Sequence, residues 1–306
     1  MVANIKDKAA IVGIGATEFS KESGRSTHRL AAECVKTALD DAGLEASDVD
    51  GVALFSAEHN PEIDVMRTLG GGDLRFFSRV HYGGGAACAV VHQAAMAVAT
   101  GVADIVVCWR AFNERSGHRF GTGVQNKDAA ATTEMAHYSS YTPFGLLTPA
   151  SWVAMFGQRY LHVTGATTDD FGRVSVAGRD FAATNPNAFF YEKPITLEDH
   201  RNSRWIVEPL RLLDCCQESD GGQALIITSP ERARDLKQKP AMIRAAAQGS
   251  GAGQHQMTSY YRDDMTRLPE MGVVARELYE TSGLGPDDFQ TAILYDHFTP
   301  FVLSQL

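Results

Sequence analysis

Two stretches 240 positions apart in this 306-residue chain follow one design, and that repetition limits the folds open to it more than any other feature. Asp41-Ala42-Gly43-Leu44-Glu45-Ala46-Ser47-Asp48-Val49-Asp50-Gly51-Val52-Ala53-Leu54-Phe55 aligns without a gap on Thr281-Ser282-Gly283-Leu284-Gly285-Pro286-Asp287-Asp288-Phe289-Gln290-Thr291-Ala292-Ile293-Leu294-Tyr295. Each copy reads as a helix end, a glycine at the C-cap, a polar turn and an apolar strand. A helix-turn-strand unit used twice predicts a duplicated α/β protein. In the second copy Tyr295 takes the place of Phe55, and the chain runs on into Asp296-His297-Phe298-Thr299-Pro300. A strand predicted over residues 292–295 therefore ends on a phenol followed by two titratable groups.

The rest of the chain fits this plan. Residues 9–15 predict a buried strand, and residues 27–41 an amphipathic helix with Leu30, Cys34, Ala38 and Leu39 on its apolar face. Gly83-Gly84-Gly85-Ala86-Ala87-Cys88 opens an alanine- and valine-rich helix over residues 86–100, closed by Gly101. A strand is predicted over residues 103–108. Residues 111–205 are rich in aromatic, polar and helix-breaking types and read as an inserted loop domain, with a helix over residues 151–163. Whether such an insertion covers a substrate mouth or forms a dimer-facing arm stays open. A strand over residues 223–228 closes a first half spanning 1–232. The second half, 240–306, begins with a strand over residues 241–247 and a helix over residues 270–283. Matching the first half would need about 80 further residues, so the second half reads as truncated.

Composition narrows the function. With 44% apolar residues and 28 glycines the chain can bury a large core. A net charge of −9 argues against nucleic acid and anionic membrane surfaces as partners. No apolar run reaches the length that crosses a bilayer, so a soluble, cytoplasmic protein is expected. Cys34, Cys88, Cys108, Cys215 and Cys216 have neither a disulfide framework nor metal-ligand spacing, and no metal is expected. Gly13-Ile14-Gly15 lacks the third glycine of a dinucleotide fingerprint, and Glu18 stands where a phosphate would approach. No nucleotide cofactor is expected.

Three segments carry a family resemblance. Val12-Gly13-Ile14-Gly15-Ala16-Thr17-Glu18-Phe19, Leu213-Asp214-Cys215-Cys216-Gln217-Glu218-Ser219-Asp220-Gly221-Gly222 and Tyr295-Asp296-His297-Phe298-Thr299 resemble the thiolase superfamily in its sterol-carrier-protein-x branch. The resemblance spans essentially the whole chain. It implies a thiolase fold, with duplicated βαβαβαββ halves in α-β-α-β-α layers. Thiolases attack an acyl-CoA with a cysteine at the mouth of the buried helix, where the helix N-terminus lowers the thiol pKa. Counting back from Thr100-Gly101, that position falls here on Gly84, followed by Gly85, with Cys88 one turn deeper. Tyr295 stands where thiolases place an asparagine or histidine at the thioester oxyanion site, and His297 replaces a cysteine.

These departures resemble the lipid-transfer-protein-like steroid side-chain aldolases, thiolase relatives that work without the cysteine. The resemblance implies retro-aldol cleavage of a steroid β-hydroxyacyl-CoA, bearing a 17-hydroxyl and a C22 side chain, to a 17-ketosteroid and propionyl-CoA. Tyr295 is the candidate for proton transfer. His297 either bonds the thioester oxygen, tunes Tyr295 or merely caps the next helix. Asp296 reads as a helix N-cap or loop brace, and Tyr260 and Tyr261 as pocket or surface aromatics. Gly84 and Gly85 would leave room for a bulky substituent. CoA, part of the substrate, replaces any separate cofactor; Arg159, Arg173, Arg179, Lys193, Arg201 and Arg204 are too many to choose its phosphate ligands among. The family also implies a homodimer and a small partner with an OB-fold and zinc ribbon, giving a heterotetramer. Two rivals are a non-catalytic acyl-CoA or sterol-binding relative, and a thiolase or acyltransferase using Cys88 or Cys215.

Overall fold

The computed structural model describes residues 5–55, 58–80, 83–117, 119, 138–255 and 259–306. Residues 118 and 120–137 of the predicted insertion lie outside the described residues. Along the chain run β1 (Ala10–Ala16), α1 (Thr27–Ala42), β2 (Gly51–Phe55), α2 (Glu62–Thr68), β3 (Phe76–Val80), α3 (Ala87–Ala99) and β4 (Ile105–Asn113). There follow α4 (Pro149–Thr164), α5 (Thr168–Thr184), α6 (Leu197–Asn202), β5 (Trp205–Val207), β6 (Leu210–Arg211), β7 (Asp220–Thr228), α7 (Pro230–Ala233), β8 (Ala241–Met242), α8 (Pro269–Ser282) and α9 (Thr299–Gln305). Two compact units result: Met1–Ser116, Ser219–Ser250 and Glu270–Gln290 make the first, Gly117–Glu218, Gly251–Pro269 and Thr291–Leu306 the second.

The first unit holds a mixed sheet in the order β3-β2-β4-β7-β1-β8. β3, β2 and β4 are parallel, whereas β7 runs antiparallel to both β4 and β1. Alternation along β4 builds two apolar layers at once. Ile105, Val107 and Trp109 join the core beneath α1, while Val106 and Cys108 face the core beneath α3. α1 begins at Ser26, whose hydroxyl accepts from the Arg29 amide, and ends at Gly43 with φ 75°.

The glycines of β1 are there for packing. A Cβ on Gly13 would lie 2.4 Å from the Ala38 carbonyl, and one on Gly15 2.2 Å from the Cys34 carbonyl. They permit close approach of strand and helix backbones, a packing role.

The repeat is visible in three dimensions and then stops. Gly43 and Gly283 share the left-handed conformation, φ 75° and 70°. The one-turn helices Ala46–Asp48 and Pro286–Asp288 follow at matched positions. In both, the last aspartate accepts from a backbone amide three residues back, Glu45 at 2.8 Å and Gly285 at 2.7 Å. Yet the strand predicted over residues 292–295 is not formed, and Ile293 is 99% exposed. β2 satisfies its backbone between β3 and β4, whereas no described strand lies beside residues 292–295 to pair with them. For the same reason the strand predicted over residues 241–247 shrinks to β8, which pairs only with Ala10 and Ile11.

The second unit packs α4, α5 and α9 around Val153, Ala154, Phe171, Leu210 and Phe298. Thr148 caps α4 by accepting from the Ser151 amide, and Gly165 closes it with φ 73°. The described part of the predicted loop domain is therefore largely helical, because caps and apolar spacing outweigh its overall polarity.

Candidate active site

Two of the motifs singled out in sequence meet in the second unit. The Cys216 amide donates to the His297 carbonyl at 2.9 Å, and Cys215 bridges Phe298 antiparallel. α9 steadies the same loop from the other side, since Gln305 Nε2 donates to the Tyr295 carbonyl at 2.8 Å. Tyr295 and His297 lie two apart in the chain, and their rings stack at 4.4 Å with 19° between planes. Phe301, in the first turn of α9, stacks on His297 at 4.9 Å and 22°. Tyr295 is thus held by its ring and carbonyl while remaining 50% exposed.

Burial pushes the His297 imidazole down to about 4, opposed in part by the Tyr295 carbonyl and Asp296. The ring is therefore neutral at pH 7, and its buried Nδ1 has no hydrogen-bond partner among the described residues. A neutral imidazole against a phenol can donate or accept one hydrogen bond but brings no charge. Because folding lowers this pKa below the free value near 6.5, protonation favours the unfolded state; stability is complete above about pH 6.5 and falls as pH drops toward 4. The expected loss is roughly 2–3 kcal/mol across that window. Urea unfolding of wild type and His297→Asn at pH 7 and 4.5 checks it: the pH slope should shrink in the variant.

Other expectations change. Asp296 is not the cap of α9; Phe298 occupies that position, with no side-chain cap. Tyr260 is tied to the scaffold, its hydroxyl donating to the Trp152 carbonyl at 2.9 Å and its ring lying against Tyr141 and Phe156. Burial raises its phenol pKa. Tyr261 is exposed beside His255.

Gly84 and Gly85 lie in a one-turn helix, Gly83–Ala86, that leads into α3 in the first unit. A Cβ on Gly85 would meet none of the described residues within 4 Å. Cys88 is exposed in the first turn of α3. Cys215 is a poor thiolate: burial, then the Asp214 carboxylate, push its thiol up to about 12. Among the basic candidates, Arg173 pairs with Asp170 and Arg201 with Asp169 and Glu198. Arg179 covers the Phe190 ring at 3.7 Å and donates to the Lys193 carbonyl.

One cluster escaped the sequence reading. Asp214, 1% exposed, accepts at Oδ1 from His200 Nε2 and from the Thr299 hydroxyl, both at 2.8 Å, and at Oδ2 from the Arg211 amide at 2.7 Å. His200 sits among Glu198, Asp199, Arg201 and Asn202, a context that reads as surface.

No protein-family model matches the sequence. The chain is 64% identical over 298 residues to the steroid side-chain-cleaving aldolase of Thermomonospora curvata, covering 97% of this chain and 76% of that protein. It is 62% identical over 304 residues to the 17-hydroxy-3-oxo-4-pregnene-20-carboxyl-CoA lyase of Mycobacterium tuberculosis, covering 99% and 78%. Among solved structures it superposes on the Ltp2-ChsH2(DUF35) aldolase with a TM-score of 0.92 at 63% identity, covering 99% of this chain and 76% of that one. The human mitochondrial 3-ketoacyl-CoA thiolase in complex with CoA matches at a TM-score of 0.69 and 13% identity over 99% and 82%, a likeness of fold. With the thiolase fold and these relatives together, the chain belongs to the steroid side-chain-cleaving aldolases of the thiolase superfamily.

Proposed function

We propose that the protein is a retro-aldol carbon-carbon lyase that cleaves a 17-hydroxy steroid β-hydroxyacyl-CoA with a C22 side chain into a 17-ketosteroid and propionyl-CoA. The observation that carries this reading is the identity above 60%, along nearly the whole chain, to two proteins named for that chemistry. A base takes the hydroxyl proton, the oxygen electrons form the ketone, and the bond to the α-carbon breaks toward the thioester. The enolate is then protonated at that carbon. The thioester accepts the electrons and the step is redox-neutral, so it needs no separate cofactor.

Tyr295 moves the proton, since its phenol is exposed and its ring is fixed by the stack on His297. Neutral His297 supports it without competing for charge. β3 is a sheet edge with Phe77 exposed, which supports a homodimer through strand pairing. The aldolase named with a DUF35 partner supports a small OB-fold and zinc-ribbon subunit and hence a heterotetramer. A cytoplasmic site of action fits a chain in which no described helix is long and apolar enough to cross a membrane.

The cysteine-dependent rival is disfavoured by the raised thiol of Cys215. The test is incubation of the full complex with the thioester and assay of both products. Cys88→Ser should retain turnover within about twofold and no acyl adduct should form on any cysteine. Loss of cleavage in that variant, with an acyl mass on Cys88 in wild type, would favour the thiolase reading.

A further inference from the structure

Among the described residues no strand pairs with the loop that carries Tyr295, which is held by backbone bonds at His297 and Phe298 and by side-chain anchors beside them. We infer that Thr299, held by the buried His200–Asp214 pair, is a positioning residue for Tyr295 and His297 and sets turnover without setting substrate affinity. This rests on the aldolase reading above.

Thr299 starts α9, two residues beyond His297 and four beyond Tyr295. Its hydroxyl, His200 Nε2 and the Arg211 amide all converge on the Asp214 carboxylate. These side chains are almost wholly enclosed: His200 is 0%, Asp214 1% and Thr299 5% exposed. Burying such groups is costly, and apolar residues of similar size would pack the region at least as stably. With three hydrogen bonds converging on the Asp214 carboxylate, what such a network adds is a preference for a single arrangement.

The surroundings are shaped for it. A Cβ on Gly172 of α5 would lie 2.7 Å from His200 Nδ1 and 2.6 Å from Leu197 Cδ1, so this glycine makes room for the ring. Ser175, one turn further along α5, donates to the Leu213 carbonyl at 2.7 Å and holds the segment that presents Asp214. Asp214 is followed directly by Cys215 and Cys216, the residues bonded to Phe298 and His297. One short segment thus grips the loop twice, by backbone at His297 and Phe298 and by carboxylate at Thr299. Loss of the second grip leaves the loop attached but free to swing the phenol.

The test compares Thr299→Val, Thr299→Ala and Thr299→Ser in the full complex, beside wild type and Tyr295→Phe. The valine and alanine variants should lose about 10- to 100-fold in kcat with KM within about twofold, because misplacement of a reacting group acts on the chemical step. Serine keeps the hydroxyl and should recover kcat to within about threefold of wild type. Alanine gives the same readout should the valine variant fail to fold. An unchanged kcat in folded Thr299→Val or Thr299→Ala overturns the assignment, as does a serine variant no better than valine, or an effect confined to KM. Inactive wild type would instead overturn the aldolase reading itself, so the two failures are distinguishable.

Discussion

Tyr295→Phe is expected to lower kcat by about 100- to 10,000-fold, the range spanned by a lost proton-transfer group. The change removes one oxygen and leaves the ring that stacks on His297. It also leaves the Tyr295 carbonyl that accepts from Gln305, so the loop keeps its backbone anchor. Since the side chain is half exposed, the melting temperature should move little. Steady-state kinetics of the full complex alongside a thermal melt separate the two quantities. Undiminished cleavage by a folded Tyr295→Phe would remove Tyr295 from the reaction.

The second large effect is on stability. Asp214→Ala strands two buried donors, His200 Nε2 and the Thr299 hydroxyl, and the part-buried Arg211 amide. Each buried donor costs about 1–3 kcal/mol when left unpaired, so a total of about 2–6 kcal/mol is expected from urea unfolding. Asp214→Asn keeps one acceptor oxygen and should lose clearly less. If the two variants unfold alike, the carboxylate's hydrogen bonds are not what holds this part of the second unit.

How far the sequence foretold these features depends on how local each one is. Gly43 and Gly283, and the aspartate-capped turns after them, were legible because a left-handed glycine and a three-residue hydrogen bond depend on neighbours in the chain. The contact of Tyr295 with His297 is local too, two positions apart in one motif, and matches one of the three readings the sequence left open for His297. The strand over residues 292–295 is not formed because a strand is a property of its neighbours: the same apolar pattern that is central in β2 has no described strand beside it there. Of the two readings of Asp296, N-cap or loop brace, the cap fails because Pro300 marks the first turn of α9 but does not say which residue precedes it. The Asp214 cluster was invisible because its members are far apart in the chain, and a histidine among charged residues gives no sign of burial. Its only hint was the position of Asp214 inside a motif that was already of interest.

The central claim is that the carbon-carbon bond breaks by retro-aldol chemistry and not through an acyl-enzyme. Running the reaction of the full complex in deuterated water and weighing the propionyl-CoA tests this most directly. Enolate protonation should place one solvent deuterium on its α-carbon, with no requirement for added free CoA and no acylated cysteine. Cleavage that needs free CoA and passes through an acyl-cysteine would contradict the account.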